Sequence, residues 1–83
     1  MSYDKVKQAS QTIIGTKQAV KAMHAGQVIE VFVALDADSW VTDPAILLAK
    51  EIGIPIATVE SKSELGRACG IHVGAAVVAI TVR

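Results

Sequence analysis

Apolar positions recur along the chain at two different periods, and stretches with the two periods alternate. Apolar residues three and four positions apart predict helices, because such residues lie on one face of a helix. Short runs rich in β-branched residues predict strands. The predicted helices cover about residues 2–10, 17–25, 43–52 and 61–69, and the predicted strands cover residues 12–14, 28–35, 54–59 and 75–82.

Local sequence signals predict where several of these helices begin and end. Thr16 is expected to cap the second helix, and Gly26 is expected to end it in a left-handed turn. Asp43 followed by Pro44 predicts the start of the third helix, because Asp accepts free N–H groups and Pro needs none at the first helical position. Ser61 with an acidic residue three positions later has the spacing of a capping box, which predicts the start of the fourth helix.

The order of these elements predicts an α/β fold. Alternating helices and strands favour a three-layer α/β/α sandwich around a central four-stranded mixed sheet. The nearly continuous apolar run at 28–35 is typical of a strand buried on both faces, and Pro55 places the next strand at an edge or near its own start. We expect residues 1–83 to form a single domain, since no linker or repeat interrupts them.

Composition narrows the classes of protein to which the chain can belong. With 83 residues, 52% hydrophobic and 19% charged, it is typical of a small globular domain. The single cysteine, Cys69, excludes a disulfide within the chain and a cysteine-based zinc site, and we expect it to be a small core residue. The apolar run at 75–80 is too short to cross a membrane. We therefore expect a cytoplasmic protein without cofactor, metal or membrane contact.

Charge is balanced overall but uneven along the chain. Residues 1–28 contain four basic residues and one acidic residue. Residues 29–60 contain one basic residue and six acidic ones, and residues 61–83 contain three basic residues and one acidic one. A fold that brings the two ends of the chain together would place basic groups on one side of the molecule and acidic groups on another. The alternative is an ordinary scatter of surface charge.

The segment from Gly15 to Lys21 combines a glycine turn with two lysines at unfavourable helical positions. Lys17 and Lys21 are four residues apart and repel each other, and Lys17 lies in the first turn, where the helix dipole disfavours a cation. A bound anion such as a phosphate would reverse both effects. The alternative is a solvated helix face. Neither a P-loop nor a dinucleotide-binding glycine motif is present.

A second glycine-rich segment precedes the last predicted strand. Ile71 and Val73 lie between Gly70 and Gly74, with His72 between them. The two apolar side chains either turn into the core or, with the glycines allowing close approach, offer a surface to an unstacked base. We interpret His72 as an exposed loop histidine, because no other metal ligand has matching spacing.

The third feature is a strand followed by Asp36 and Asp38. This pattern is similar to the nucleophile motif of haloacid-dehalogenase-type phosphatases, but that fold needs a much longer chain. A calcium loop is excluded because Val41 replaces the required glycine and Leu47 the bidentate glutamate. We interpret the two acids as solvated residues of a strand-to-helix loop, and we predict that the protein is not an enzyme.

Together these segments resemble the kink-turn RNA-binding ribosomal-protein family, in particular its small bacterial branch. The resemblance extends over the whole chain and is carried by the segments 15–21, 34–38, 65–66, 69–71 and 74–76. It implies an α/β/α sandwich that binds internal loops of RNA in which tandem sheared G·A pairs follow a bulge and the backbone bends sharply.

The resemblance assigns RNA contacts to two segments. It implies that the first reads guanine edges in the widened groove and the second packs on the extruded bulge nucleotide. The first consists of Gly15, Thr16, Lys17, Gln18 and Lys21, and the second of Ile71, His72, Val73 and Gly74. Lys17 and Gln18 replace the Asn-Glu pair of archaeal and eukaryotic members. Lys17 can still donate to guanine, and Gln18 can donate as well as accept, so affinity and loop preference are expected to differ.

The implied partner is an RNA that contains a kink-turn, such as ribosomal RNA, a riboswitch or another structured RNA, with the ribosome as a further candidate. The protein is expected to act as a monomer, with its acidic middle facing away from RNA or helping to reject unkinked duplex. The alternative hypothesis is a ribosome-associated protein-interaction module without direct RNA contact.

Overall fold

Strands and helices alternate in the computed structural model, which describes residues 6–7 and 11–82. Val6 and Lys7 are helical. The elements that follow are β1 (Gln11–Ile14), α1 (Thr16–His24), β2 (Glu30–Ala34), α2 (Ser39–Ile52), β3 (Ile56–Val59), α3 (Lys62–Ala68) and β4 (Val77–Val82).

The strands form one mixed sheet in the order β1-β4-β2-β3. Strand β4 is antiparallel to both of its neighbours, and β2 is parallel to β3. Strands β1, β2 and β3 therefore all run in the same direction. They end at the same end of the sheet, where β4 begins, and we call this end, with the turns that leave and enter it, the loop end.

Helices cover both faces of this sheet. On one face, Ala19, Ala22 and Met23 of α1 and Ala45 and Ala49 of α2 form a core with inward residues of β2 and β4. On the other face, a second core contains residues of the sheet, of α3 and of the segment before β1, namely Val6, Phe32, Ala34, Val59, Leu65, Ala75, Val78 and Ile80. The predicted three-layer α/β/α sandwich with a four-stranded mixed sheet is confirmed.

Strand burial also follows the prediction. All five residues of β2 are buried, because this central strand has a core on each side. Strand β3 lies at the edge of the sheet, as Pro55 indicated. Three of the predicted strands, at 28–35, 54–59 and 75–82, are two or three residues longer than the observed ones, because flanking apolar residues continue into turns. The first strand begins one residue earlier than predicted.

One helix start differs clearly from the prediction. Helix α2 begins at Ser39 with Asp38 at the N-cap, so Asp43 and Pro44 lie inside the helix and do not start it. Pro44 is exposed, and its ring faces solvent at this position. The predicted helix start at Ser61 is confirmed, because Ser61 is the N-cap of α3 and its Oγ accepts the Glu64 N–H at 3.2 Å. The predicted helix at 2–10 lies outside the described residues, apart from residues 6–7.

Candidate functional site

The turn from β1 into α1 depends on Gly15. Its backbone φ of 105° lies in a region that residues with a Cβ atom rarely adopt. Its N–H donates to the Val77 carbonyl at 2.8 Å, and its carbonyl accepts the Ala19 N–H at 2.9 Å. A Cβ at Gly15 would meet no atom within 4 Å. The glycine is therefore required by the backbone, and the space above it is open to a ligand.

No side chain of a described residue caps the first turn of α1. Gly15 occupies the N-cap position and Thr16 is the first helical residue, so the prediction that Thr16 caps this helix is wrong. Because Gly15 with its positive φ is the N-cap residue, the helix begins one residue earlier than it would with Thr16 as the cap. Thr16 Oγ1 is buried and has no hydrogen-bond partner among the described residues. The N–H groups of this first turn have no intrahelical acceptor, which makes the turn favourable for an acceptor or anion.

Three polar side chains of α1 project from the same side of the helix into solvent. Lys17, Gln18 and Lys21 are exposed, whereas Ala19 and Met23 are buried against the sheet. Within the described residues, neither Lys17 nor Lys21 has an ion-pair or hydrogen-bond partner for its side chain. No described residue therefore competes with an external anion for either ammonium group.

The loop between α3 and β4 is fixed to α3 at both of its ends. The Ile71 N–H donates to the Gly66 carbonyl at 3.1 Å, and the Ala75 N–H donates to the Lys62 carbonyl at 2.9 Å. A side chain at Gly66 would collide with the Val73 carbonyl oxygen, so the loop lies directly on the helix. These contacts hold the loop in one position relative to the sheet.

The structure separates the two apolar residues of this loop. Ile71 is half-buried, but Val73 is 69% exposed, and His72 and Gly74 are also exposed. The alternative that both side chains turn into the core is therefore met only in part by Ile71 and is not met by Val73. A shallow cavity of about 280 Å³ lies beside the loop and is lined by Ser63, Arg67, Ile71, His72, Val73 and Gly74.

The two predicted segments meet at the loop end of the sheet. The Gly15–Val77 hydrogen bond joins the start of α1 to the residue at which the 71–76 loop enters β4. Ile14 pairs with Val78 in the sheet, so β1 and β4 are direct neighbours here. Lys21 lies six residues after Gly15, which is about 9 Å along the helix axis. The structure thus places the start of α1 beside the strand that the 71–76 loop enters.

A third segment at the loop end was not predicted as part of the site. The Asp36 carboxylate accepts the Lys62 N–H at 2.9 Å, and the Leu35 N–H donates to the Val59 carbonyl at 2.8 Å. The strand-to-helix loop expected for Asp36 and Asp38 is present, but Asp36 bonds the start of α3. Because parallel β2 ends where β1 does, this acidic loop lies at the same end of the sheet as the other two segments.

Arg67 was also missed as a member of this surface. It is exposed on α3 and lines the cavity beside the 71–74 loop, and no described residue pairs with its guanidinium. The signal in the sequence was its position four residues before Ile71, because the last turn of a helix lies close to the loop that follows it.

Cys69 lies between the site and the core. It is half-buried and packs against the core cluster on the α3 side of the sheet, in accord with the expected core role. Burial raises the pKa of the Cys69 thiol above its usual value, and a hydrogen bond with the Thr12 side chain offsets only part of this effect. A thiol with a raised pKa is a poor nucleophile at neutral pH.

Residues 6–7 and 11–82 contain no cluster of three His, Cys, Asp or Glu side chains that could hold a metal ion. Among the same residues, no helix has the length and apolar character needed to cross a membrane.

A protein-family comparison adds an independent observation to this geometry. Residues 2–83 match the model of the ribosomal protein L7Ae/L30e/S12e/Gadd45 family. The chain belongs to this family. The match covers both segments of the site, and the family resemblance inferred from the sequence is confirmed.

Individual relatives agree with this assignment. An RNA-binding protein of Bacillus pumilus (strain SAFR-032) is 56% identical over 80 residues, which cover 96% of this chain and 98% of the relative. The RNA-binding protein YbxF of Geobacillus stearothermophilus is 48% identical over the same shares of the two chains. Because the relatives are named as binding proteins and not as enzymes, the prediction of a non-enzymatic protein is confirmed.

A solved structure has the same fold. The 15.5kD RNA binding protein of Giardia lamblia superimposes with a TM-score of 0.88 at 30% sequence identity, and the match covers 99% of this chain and 72% of that one.

Proposed function

We propose that this protein binds RNA at kink-turns and stabilises their bent form. The observation that carries the proposal is the hydrogen bond between Gly15 and Val77 at the loop end. It joins the first turn of α1, whose exposed lysines are paired with no described residue, to the strand that the exposed loop at 71–74 enters. The names of the relatives support RNA as the ligand class. The resemblance described for the sequence supports the kink-turn as the element recognised.

The first turn of α1 would contact the RNA groove. Lys17 and Lys21 neutralise phosphates or donate to guanine O6 and N7, and Gln18 contacts a base edge. The open space above Gly15 lets the backbone approach the RNA closely. The Thr16 N–H belongs to the uncapped turn and is available to an acceptor.

The 71–74 loop would contact the nucleotide that the bulge extrudes. Val73 presents an exposed apolar side chain, and half-buried Ile71 lines the same cavity beside the loop. An unstacked base that packs on this surface removes apolar area from water without a demand on sequence.

This arrangement gives a binding mechanism without a chemical step. An internal loop of RNA exchanges between extended and kinked forms, and a protein that binds only the kinked form shifts the population toward it. Both surfaces must be contacted at once, and only a sharply bent strand brings a groove and an extruded base within one small face of the protein.

Lys17 and Gln18 are the positions at which specificity should differ from relatives with Asn-Glu. Lys17 donates as a point charge and accepts nothing, whereas an asparagine both donates and accepts. We infer that this protein tolerates more than one base at the RNA positions that Lys17 and Gln18 contact. Charge should supply a larger part of its affinity than in relatives with Asn-Glu.

We also infer a single RNA-binding domain over residues 1–83 that acts as a monomer in the cytoplasm. Its RNA would be ribosomal RNA, a riboswitch or another structured transcript, and the ribosome is the candidate assembly.

An electrophoretic mobility shift tests the proposal. The full chain is titrated against a kink-turn RNA and against the same RNA with its G·A pairs replaced by Watson–Crick pairs. The proposal predicts a complex with the first RNA at concentrations at which the second shows none. Equal binding of both RNAs would show that the protein binds RNA in general and would contradict recognition of the kink-turn.

The protein-interaction alternative differs in its dependence on salt. If the protein contacts two to four phosphates, the logarithm of its RNA association constant should fall linearly with the logarithm of the salt concentration, with a slope of roughly −0.7 to −0.9 per phosphate. Absence of any RNA complex at low salt would favour a protein partner.

A further inference from the structure

Arg67 is an exposed cation for which the fold alone does not require an arginine. It is the basic residue in the last turn of α3, and no described residue pairs with its guanidinium. The helix dipole favours a cation in this turn, but a lysine would satisfy the dipole equally well. Glu64 lies three residues earlier on the same helix and is also exposed, yet the two side chains form no ion pair.

The 71–74 loop lies along α3, with Arg67 at its side. Gly66 is in direct contact with the loop, since a Cβ at this position would collide with the Val73 carbonyl oxygen. Arg67 follows Gly66 and lines the cavity of about 280 Å³ beside the loop. Ser63, four residues earlier and on the same side of the helix, lines it as well. Arg67 therefore borders the surface on which the proposed function places the extruded nucleotide.

A second cavity extends from Arg67 away from the loop. It has a volume of about 170 Å³ and is lined by Lys7, Glu64, Arg67 and Ala68. Because Arg67 lines both cavities, it lies between them. Val6 packs in the same core cluster as Leu65, which brings the exposed side chain of Lys7 beside α3. The surface that extends from the loop across α3 therefore contains two exposed cations, first Arg67 and then Lys7.

The size and charge of the two cavities favour the backbone of a nucleic acid over a small molecule. Each cavity is smaller than the roughly 300 Å³ at which pockets for small ligands begin. Among the described residues that line them, Glu64 carries the one carboxylate, against the cations of Lys7 and Arg67. A guanidinium can form two parallel N–H···O bonds with a phosphate, which an ammonium group cannot. The phosphates of a nucleotide held on the neighbouring loop are therefore the anions that suit Arg67 best.

We infer that Arg67 binds a backbone phosphate beside the nucleotide that packs on the 71–74 loop, and that Lys7 continues this contact along the same RNA strand. The inference rests on the proposed function and adds a third contact to it, on α3. The loop holds the extruded nucleotide through its base, and Arg67 holds it through its backbone. Because every nucleotide has the same phosphate, this contact adds affinity and fixes position without reading sequence.

Two substitutions of Arg67 in the full chain test the charge and the geometry of the contact. Arg67→Gln should weaken binding of a kink-turn RNA about 3- to 10-fold, because one exposed charge-assisted contact is lost. The slope of log K against log salt should fall in magnitude by about 1. Arg67→Lys keeps the charge and should keep the slope, but it should restore only part of the affinity, because the paired bonds are lost. Both variants should melt close to the wild type, since the side chain is exposed.

Glu64 gives a prediction of opposite sign. Glu64→Gln removes the carboxylate that lines the second cavity and should strengthen RNA binding about 1.5- to 5-fold, because an exposed charge no longer repels the phosphate. Lys50→Gln and Glu51→Gln are the matched controls for Arg67→Gln and Glu64→Gln. They make the same changes of charge at exposed positions in the last turn of α2, away from the loop end, and should leave the affinity unchanged.

Neutral linkages in the RNA identify the group that Arg67 binds. A methylphosphonate, which carries no charge, replaces the phosphodiester on the 5′ side of the extruded nucleotide in one RNA and on the 3′ side in another. At least one of these RNAs should bind the wild type more weakly than the unmodified RNA does. The same replacement should cost Arg67→Gln little, because the partner of that phosphate is already absent.

The outcomes separate the inference from the proposed function. Wild-type affinity of Arg67→Gln, together with weakened binding by Lys21→Ala, would overturn the inference and leave kink-turn binding intact. Methylphosphonate losses that are equal in the wild type and in Arg67→Gln would also overturn it, because Arg67 would then contact neither phosphate. No complex between the wild type and the kink-turn RNA at low salt would overturn both.

Discussion

Lys17 and Lys21 carry charges that oppose each other in the free protein. They lie four residues apart on one side of α1, and within the described residues nothing pairs with either side chain. Like charges at this spacing destabilise a helix by about 0.2–0.5 kcal/mol. A bound phosphate would turn this repulsion into attraction, so the cost in the free protein is consistent with an anion site.

Substitution of Lys21 tests the role of charge at the site. Lys21→Ala should weaken kink-turn binding on the order of tenfold, because one charge-assisted contact is lost. The slope of log K against log salt should fall in magnitude by about 1, which corresponds to the loss of one phosphate contact. Its melting temperature should stay close to that of the wild type, since the side chain is exposed.

Lys50→Ala is the matched control for Lys21→Ala. Lys50 is an exposed lysine in the last turn of α2, far from the loop end, and its removal should leave RNA affinity unchanged. Equal losses in the two variants would indicate a general effect of net charge and contradict a site on α1.

Val73 tests the apolar part of the same surface. Val73→Ser should weaken binding with little change in salt slope, because the contact is with a base and not with a phosphate. Since Val73 is 69% exposed, urea unfolding should shift by no more than about 0.5 kcal/mol. A variant that unfolds would show that the loop supports the core instead.

The raised pKa of Cys69 predicts a dependence of stability on pH. In the folded protein the thiol keeps its proton to higher pH than in the unfolded chain. Its contribution is therefore complete below the unfolded pKa and is lost as pH rises through the folded pKa. Between neutral pH and about pH 10, the free energy of unfolding of the wild type should fall more than that of Cys69→Ala, as measured by urea denaturation. Parallel curves for the two proteins would contradict the assignment.

At the scale of elements, α2 departs most from what its sequence signals predict. Asp43 and Pro44 have the composition of a helix start but lie in its second turn, and Asp38 occupies the N-cap. Pro44 cannot donate a hydrogen bond to the carbonyl four residues earlier. The helix tolerates it because the apolar face of α2 continues through this turn and packs on the sheet.

Pro44→Ala should therefore stabilise the protein. Restoring the N–H removes a defect of the helix, and the more flexible unfolded chain offsets part of the gain. The free energy of unfolding should rise by about 1–2 kcal/mol. Pro55→Ala, in the loop before β3, is the control and should bring no gain. A destabilised Pro44→Ala would show that the ring makes a packing contribution at the helix surface.

Most of the fold could be predicted because each element carries its own local pattern. The apolar strand β2 and the capping box at Ser61 were sufficient to place their elements. The start of α2 was predicted too late in the chain, because Asp43 and Pro44 have the composition of a helix start although the helix begins at Ser39. Thr16 was misassigned because a preceding glycine with positive φ can replace a side-chain cap.

At the scale of the whole molecule, sheet topology creates the site. Because β1, β2 and β3 are parallel, α1, α2 and α3 all begin at the loop end. The positive ends of the dipoles of α1 and α2 therefore point to the same region. The presence of Asp36 there could not be predicted from the uneven charge along the chain, because strand direction and not sequence position decides which loops meet.

The central claim is that the 15–21 and 71–74 segments contact one kinked RNA together. Amide chemical shifts of the full chain, followed during titration with a kink-turn RNA, test it most directly. The account predicts that amides of Gly15, Lys17 and Val73 shift along one binding curve with a common Kd, while those near Ile52 at the far end of α2 do not move. Shifts in only one segment, or two curves with different midpoints, would contradict it.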